Sequence, residues 1–253
     1  TIDGVKVYFN PGGVQVKGGF GWDGHYYDTD SGALVTNKFV EEYGRTYYVD
    51  ENGNKAIGSK EINGAWNYFD KHGELITNNF APDGRYYDKY GKQVDFGRNR
   101  YFELNGEWYY AGNDGAILKG PQTIDGVKVY SNQGGVQVKG YFVRHETNNK
   151  EHYYDKDTGA LVTNNYVIAY DNYTHQNERY YVDEQGIRVK GAKTINGKQV
   201  YFTYDGRQVF DNFGDDGYFY DQDGNRVDLG TNRYVKIKGN WYYIGNDGKI
   251  LTG

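Results

Sequence analysis

The sequence predicts an all-β chain, an elongated solenoid of stacked short β-hairpins, and three observations predict it. Aromatic clusters recur about every twenty residues. Glycine-containing turn pairs separate them. No stretch carries a helical period long enough to compete. The clusters begin at Tyr8, Tyr26, Tyr47, Tyr68, Tyr86, Tyr109, Tyr130, Tyr153, Tyr180, Tyr201, Tyr218 and Tyr242, with spacings between 17 and 27 residues. A fixed period of this size marks a repeat architecture. One hairpin cannot bury its aromatic face alone, and stacking the next hairpin covers it.

Each unit reads as an aromatic strand, a turn and a second short strand. Trp108-Tyr109-Tyr110, Gly112-Asn113-Asp114-Gly115 and Ala116-Ile117-Leu118-Lys119 form one such unit. Asp-Gly or Asn-Gly pairs occur 13 times. They adopt the positive φ values that tight turns demand. A longer repeat lies above the short one. Residues 1–8 recur unchanged at 123–130, Val14–Gly18 recurs at 136–140, and Gly32–Asn37 recurs at 159–164. The growing offset places two insertions in the second copy, near Arg144–Lys150 and Asp171–Asn177, both expected as longer polar loops. The chain is therefore expected to be one array, 1–253, made of two supra-repeats, 1–120 and 123–253. Pro121-Gln122 reads as a seam inside it.

Composition fits thin, repeated cores. Hydrophobic residues are 37% of the chain and mean hydropathy is −0.90, yet 29 residues are tyrosine. Such aromatic richness argues against disorder. The net charge of −5 is well mixed and forms no basic stripe, which argues against nucleic acid. No apolar run reaches membrane-spanning length. Cysteine is absent, so there is no disulfide framework. The start at Thr1 and the lack of methionine suggest a fragment of a longer protein.

Catalysis is not expected. The carboxylates sit mainly in or beside turns, where Asp serves the backbone. His25, His72, His145, His152 and His175 have no metal-ligand spacing, and no cofactor motif occurs. Most tyrosines should close the hairpin cores. A ring left facing a cleft would make a platform for the apolar C–H face of a pyranose. The sugar hydroxyls would then need hydrogen-bonding partners. Gln15 with Lys17, and Gln137 with Lys139, lie two residues apart on one strand face and supply donors and acceptors. Tyr180-Tyr181 followed by Gln208 is a related unit, with Phe210 in the lysine position, and a weaker pocket is expected there.

Ile195–Phe202, Trp241-Tyr242-Tyr243 and Gly159–Asn164 resemble the glucan-binding repeats of glucansucrases, domain V of glycoside hydrolase family 70. The resemblance covers nearly the whole chain. It implies a secreted, non-catalytic module for a dextran-like α-glucan or isomalto-oligosaccharide, with a glucan-synthesising catalytic domain in cis. It also implies a stacking tyrosine with Gln and Lys in each sugar pocket, roles that fall on Tyr109 or Tyr110, Gln137 and Lys139. Tyr109→Ala is then expected to weaken dextran retention without disturbing the fold. The aromatic-glycine hairpin is shared with choline-binding repeats. A cell-surface module for choline or host glycans, and a scaffold without binding, are the competing readings.

Overall fold

The computed structural model describes residues 1–252, which divide into two compact units, Thr1–Leu118 and a second beginning at Lys119. Among the described residues there is no helix, and every strand pairing is antiparallel. Each unit is a succession of two-stranded hairpins. One group, Asn79–Phe80, Tyr86–Tyr87 and Gln93–Val94, gains a third strand.

The hairpins pair differently from the expected unit. The aromatic strand Glu107–Ala111 pairs with the strand before it, Arg100–Leu104, and not with Ala116–Lys119. The later segment contributes one isolated bridge, Ala111↔Ile117. The two kinds of turn explain this. In Asn105-Gly106 both residues have positive φ, at 54° and 83°. That doubly left-handed loop matches the twist of two continuing strands. In Gly112–Gly115 only the last residue does so, and the chain loops more widely. Asp114 caps the loop by accepting from the Ala116 N–H at 3.0 Å.

Paired tyrosines connect one hairpin to the next. Side chains alternate along a strand, so neighbours face opposite ways. Tyr47 packs with Tyr26, Val40 and Val49, against the preceding hairpin. Tyr48 packs with Ala56, Ile62 and Phe69, against the following one. The second unit repeats this. Tyr180 joins Tyr153, Val167 and Val182, and Tyr181 joins Ile195, Val200 and Phe202. A single backbone bond stitches successive hairpins beside these cores, for example Leu75 N–H to Thr46 O at 2.8 Å and Gln208 N–H to Arg179 O at 2.8 Å.

The two insertions behave differently. His145–Lys150 is a loop, closed by His145 N–H to Lys150 O at 2.9 Å. The second insertion mostly lengthens a hairpin. Its strands, Asn165–Asp171 and Gln176–Val182, have 7 residues each, where Lys38–Glu42 and Arg45–Val49 have 5. Its polar composition suggested a loop, but strand pairing tolerates polar residues on a solvent-facing side. Pro121 and Gln122 lie inside the strand Gly120–Ile124, paired with Tyr130 and Val129.

Buried tyrosine hydroxyls need partners, and aspartates in the short turns provide them. Tyr27 donates to Asp23 at 2.6 Å, Tyr87 to Asp83 at 2.9 Å and Tyr220 to Asp216 at 2.7 Å. Burial, and then the Asp83 carboxylate, push the Tyr87 hydroxyl well above the ordinary phenol range. A hydrogen bond to a charged group contributes about 1.5–3 kcal/mol. Tyr87→Phe is therefore expected to lower stability by about that amount in urea unfolding, with the β-sheet circular dichroism retained. An unchanged midpoint would show that the tether is energetically idle.

Candidate functional site

The expected sugar-contacting residues fall into three environments. Tyr109 is 9% exposed and packs against Phe80 at 4.9 Å and Phe102 at 5.4 Å between ring centroids. Tyr180 and Tyr181 are likewise buried, with hydroxyls on Asp171 at 2.7 Å and Asn164 at 2.8 Å. Tyr110 is half-buried, edge-on to Tyr101 at 4.9 Å. Truncating a buried aromatic typically costs about 3–5 kcal/mol. Tyr109→Ala therefore perturbs the fold, contrary to the expectation that it would spare it.

The Gln-x-Lys pairs reach across to the next turn. Gln137 donates to Thr158 O at 3.3 Å and Lys139 to Asp157 O at 3.3 Å. Gln15 and Lys17 do the same at Ser31 O and Asp30 O, at 3.4 and 2.8 Å. The turn glycine beneath each glutamine is required twice over. Gly159 and Gly32 have φ of +72° and +68°, and a Cβ on either would collide with the glutamine amide.

Gln208 differs. Its oxygen accepts from Arg179 Nε at 2.7 Å, and its amide donates to Gly224 O at 3.5 Å. The Arg179 guanidinium lies over Phe210 at 4.5 Å and Tyr166 at 4.9 Å. A protein cation thus occupies the aromatic space beside Gln208. Phe210, in place of the lysine, supplies one wall of that space.

Sequence reasoning missed a cleft of about 410 Å³ in the first unit, built by three successive hairpins. Trp66 is 48% exposed and forms part of its wall. Arg85, Gln93, Asp83, Asp95 and Asp114 are also among its lining residues. Arg85 is held there by Asp114 O at 3.1 Å and by the Asp83 carboxylate at 3.9 Å. The arrangement combines an aromatic ring with donors and acceptors and is large enough for a small ligand. Trp66 lies on the strand face opposite buried Asn67 and Phe69, next to the hairpin turn.

In the second unit a cleft of about 380 Å³ is lined by Pro121, Lys128, His145, His152 and Tyr154 among others. His145 and His152 stack at 4.0 Å between centroids, and His145 Nε2 shares a 2.8 Å hydrogen bond with the Tyr154 hydroxyl.

Comparison with known proteins places these features in a family. A choline-binding repeat model matches residues 1–39 and 118–166, and a cell wall binding repeat model matches 99–117 and 232–250. Glucosyltransferase-S of Streptococcus mutans serotype c is 37% identical over 216 residues, covering 83% of this chain and 14% of the relative. Glucosyltransferase-I of Streptococcus downei is 34% identical over 253 residues, covering 95% of this chain and 15% of the relative. The chain belongs to the glucan-binding repeat regions of glucosyltransferases. It spans only about a seventh of those relatives' length. Among solved structures, choline-binding protein F of Streptococcus pneumoniae aligns at 23% identity and a TM-score of 0.45, covering 90% of this chain and 91% of that one. An alternansucrase in complex with isomaltononaose aligns at 26% identity and a TM-score of 0.30, covering 90% of this chain and 18% of that one.

The histidine stack gives this glucan-binding repeat region a pH dependence. Burial, and then the neighbouring His152, hold His145 below the ordinary imidazole range. Burial does the same to His152, with Lys128 adding to it. Between the folded and unfolded values the unfolded chain binds more protons, so falling pH favours unfolding. Stability is therefore full above the ordinary imidazole range and declines as pH falls through it. Urea unfolding between about pH 7.5 and 5 should show this slope, and His145→Gln should flatten it. An identical slope in the variant would assign the effect to other groups.

Proposed function

We propose that this chain is a non-catalytic module that binds an extracellular α-glucan of the dextran type and tethers a glucosyltransferase catalytic domain in cis to its polymer. The observation that carries this reading is the Trp66 cleft. An exposed indole lies among an arginine, a glutamine and carboxylates, which together offer hydroxyl groups both donors and acceptors. A neutral polyhydroxylated ring with an apolar C–H face fits that chemistry. Gln15 with Lys17, and Gln137 with Lys139, are proposed as further hydroxyl contacts, each pair side by side on one strand face against the next turn. Gln208 is proposed to contribute little while Arg179 holds its oxygen. Tyr110 is the more accessible of the two candidate rings on its strand. The glucosyltransferase relatives and the alternansucrase–isomaltononaose complex support a glucan as the ligand. Several weak sites on one long polymer would gain by avidity, on the order of 10²-fold where geometry allows.

Affinity electrophoresis in dextran-containing native gels tests the reading. The intact chain is expected to be retarded, and Trp66→Ala or Gln93→Ala to weaken retention by about tenfold, equivalent to about 1.4 kcal/mol. Choline chloride should not release it. Absence of retardation would favour a scaffold role. Release by choline, with Trp66→Ala unaffected, would favour a cation-binding cell-surface module.

A further inference from the structure

The two long copies differ at one corresponding place. In the first copy Glu42 ends the strand Lys38–Glu42 and accepts from the Phe20 N–H at 2.8 Å. Its carboxylate lies close against Gly19, where a Cβ would sit 2.9 Å from Oε1. The side chain fills the corner beside the Phe20 and Tyr47 rings, over which Lys55 Nζ lies at 3.7 and 4.3 Å. In the second copy Ala169 stands where Glu42 does, and Tyr141 where Gly19 does. Arg188 takes the Lys55 place, over Phe142 at 4.9 Å and Tyr180 at 5.5 Å. The Glu42 carboxylate has no counterpart there: Ala169 is buried in the cluster with Tyr153, Val167 and Tyr180, a tyrosine replaces the glycine, and the lengthened hairpin borders the corner. The result is a cleft of about 560 Å³, lined by Tyr141, Ala169, Tyr170, Asp171, Tyr173 and Arg188 among others.

Two of those rings are open to solvent. Tyr170 is 59% exposed and Tyr173 is 84% exposed. Both have anchors. The Tyr170 hydroxyl lies 3.5 Å from His175 Nδ1, and the Arg207 guanidinium lies 5.8 Å from the Tyr173 centroid. The carboxylates around the cleft are already engaged. Glu151 pairs with Arg188 and with Arg144, the latter at 3.4 Å, and Asp205 pairs with Arg207 at 2.9 Å. Asp171 accepts from the Tyr180 hydroxyl at 2.7 Å and from the Tyr173 and Thr174 N–H groups at 2.9 Å. The cleft therefore presents aromatic faces and hydrogen-bonding edges, with Glu151 and Asp205 paired to arginines and Asp171 saturated by neutral donors. That pattern suits a neutral polyol better than a quaternary ammonium.

We infer that this cleft is an additional carbohydrate subsite, created by the second insertion, which takes a pyranose unit of a neutral α-glucan against Tyr170 and Tyr173. The inference rests on the glucan-binding reading above. It gives the insertion a role in contacting polymer.

Isomaltotriose titrated into the full chain, followed by ¹H–¹⁵N chemical shifts, tests it. Two groups of resonances should move, the Trp66 indole and amides around Ala169–Thr174. Tyr170→Ala/Tyr173→Ala should abolish the second group and spare the first. Trp66→Ala should do the reverse. If the indole moves and the amides do not, this subsite is refuted and the glucan-binding reading stands. If neither group moves, both fail. If choline chloride moves the amides and isomaltotriose does not, the ligand class is wrong.

Discussion

The paired tyrosine of each aromatic strand is the interaction on which the architecture depends. Two adjacent residues on a strand point to opposite faces, so one ring closes the core behind the hairpin and the next closes the core ahead. Tyr47 with Tyr48, and Tyr180 with Tyr181, occupy separate clusters on either side of their strand. No hairpin owns a whole core. Each borrows half from a neighbour, so stability rests on nearest-neighbour contacts. Tyrosine suits this position because its ring buries apolar area while its hydroxyl ends at a polar edge. Aspartates in the short turns receive that hydroxyl.

That constraint leaves little room elsewhere. The turn glycines are held at positive φ, and the glutamine amides of the preceding hairpin press onto Gly32, Gly159 and Gly224. Function must therefore use what the packing leaves over. An aromatic residue near a hairpin tip, such as Trp66, is left outside the cores and becomes a wall. A glutamine whose oxygen is not taken by the protein remains an acceptor. Where a neighbouring side chain does take it, as Arg179 does at Gln208, the chain satisfies itself.

The two long copies show how one scaffold can change its sites without changing its fold. Glu42 and Gly19 in the first copy are replaced by Ala169 and Tyr141 in the second, and the pairing around both is antiparallel and in corresponding register. The insertion that accompanies Ala169 extends paired strands, so a new tyrosine, Tyr173, arrives at the tip of a supported hairpin beside Tyr170, which stands where Tyr43 does in the first copy.

The sequence by itself determined the fold class, the twenty-residue period, the two unequal long copies and the positions of the glycine turns. Each follows from local spacing. Pairs with positive φ make turns, and aromatic clusters at a fixed period must stack to be buried. Only the tertiary structure decided which strand pairs with which and over how many residues. It alone separated core rings from open ones. Tyr109 and Trp66 look equivalent in a list of aromatics, yet one packs between Phe80 and Phe102 while the other faces a cleft. It also showed that Arg179, 29 residues before Gln208, occupies that glutamine's partner site. The reason is physical. A platform is defined by what fails to cover it, and that depends on neighbours one hairpin away in space, which the repeat period does not specify.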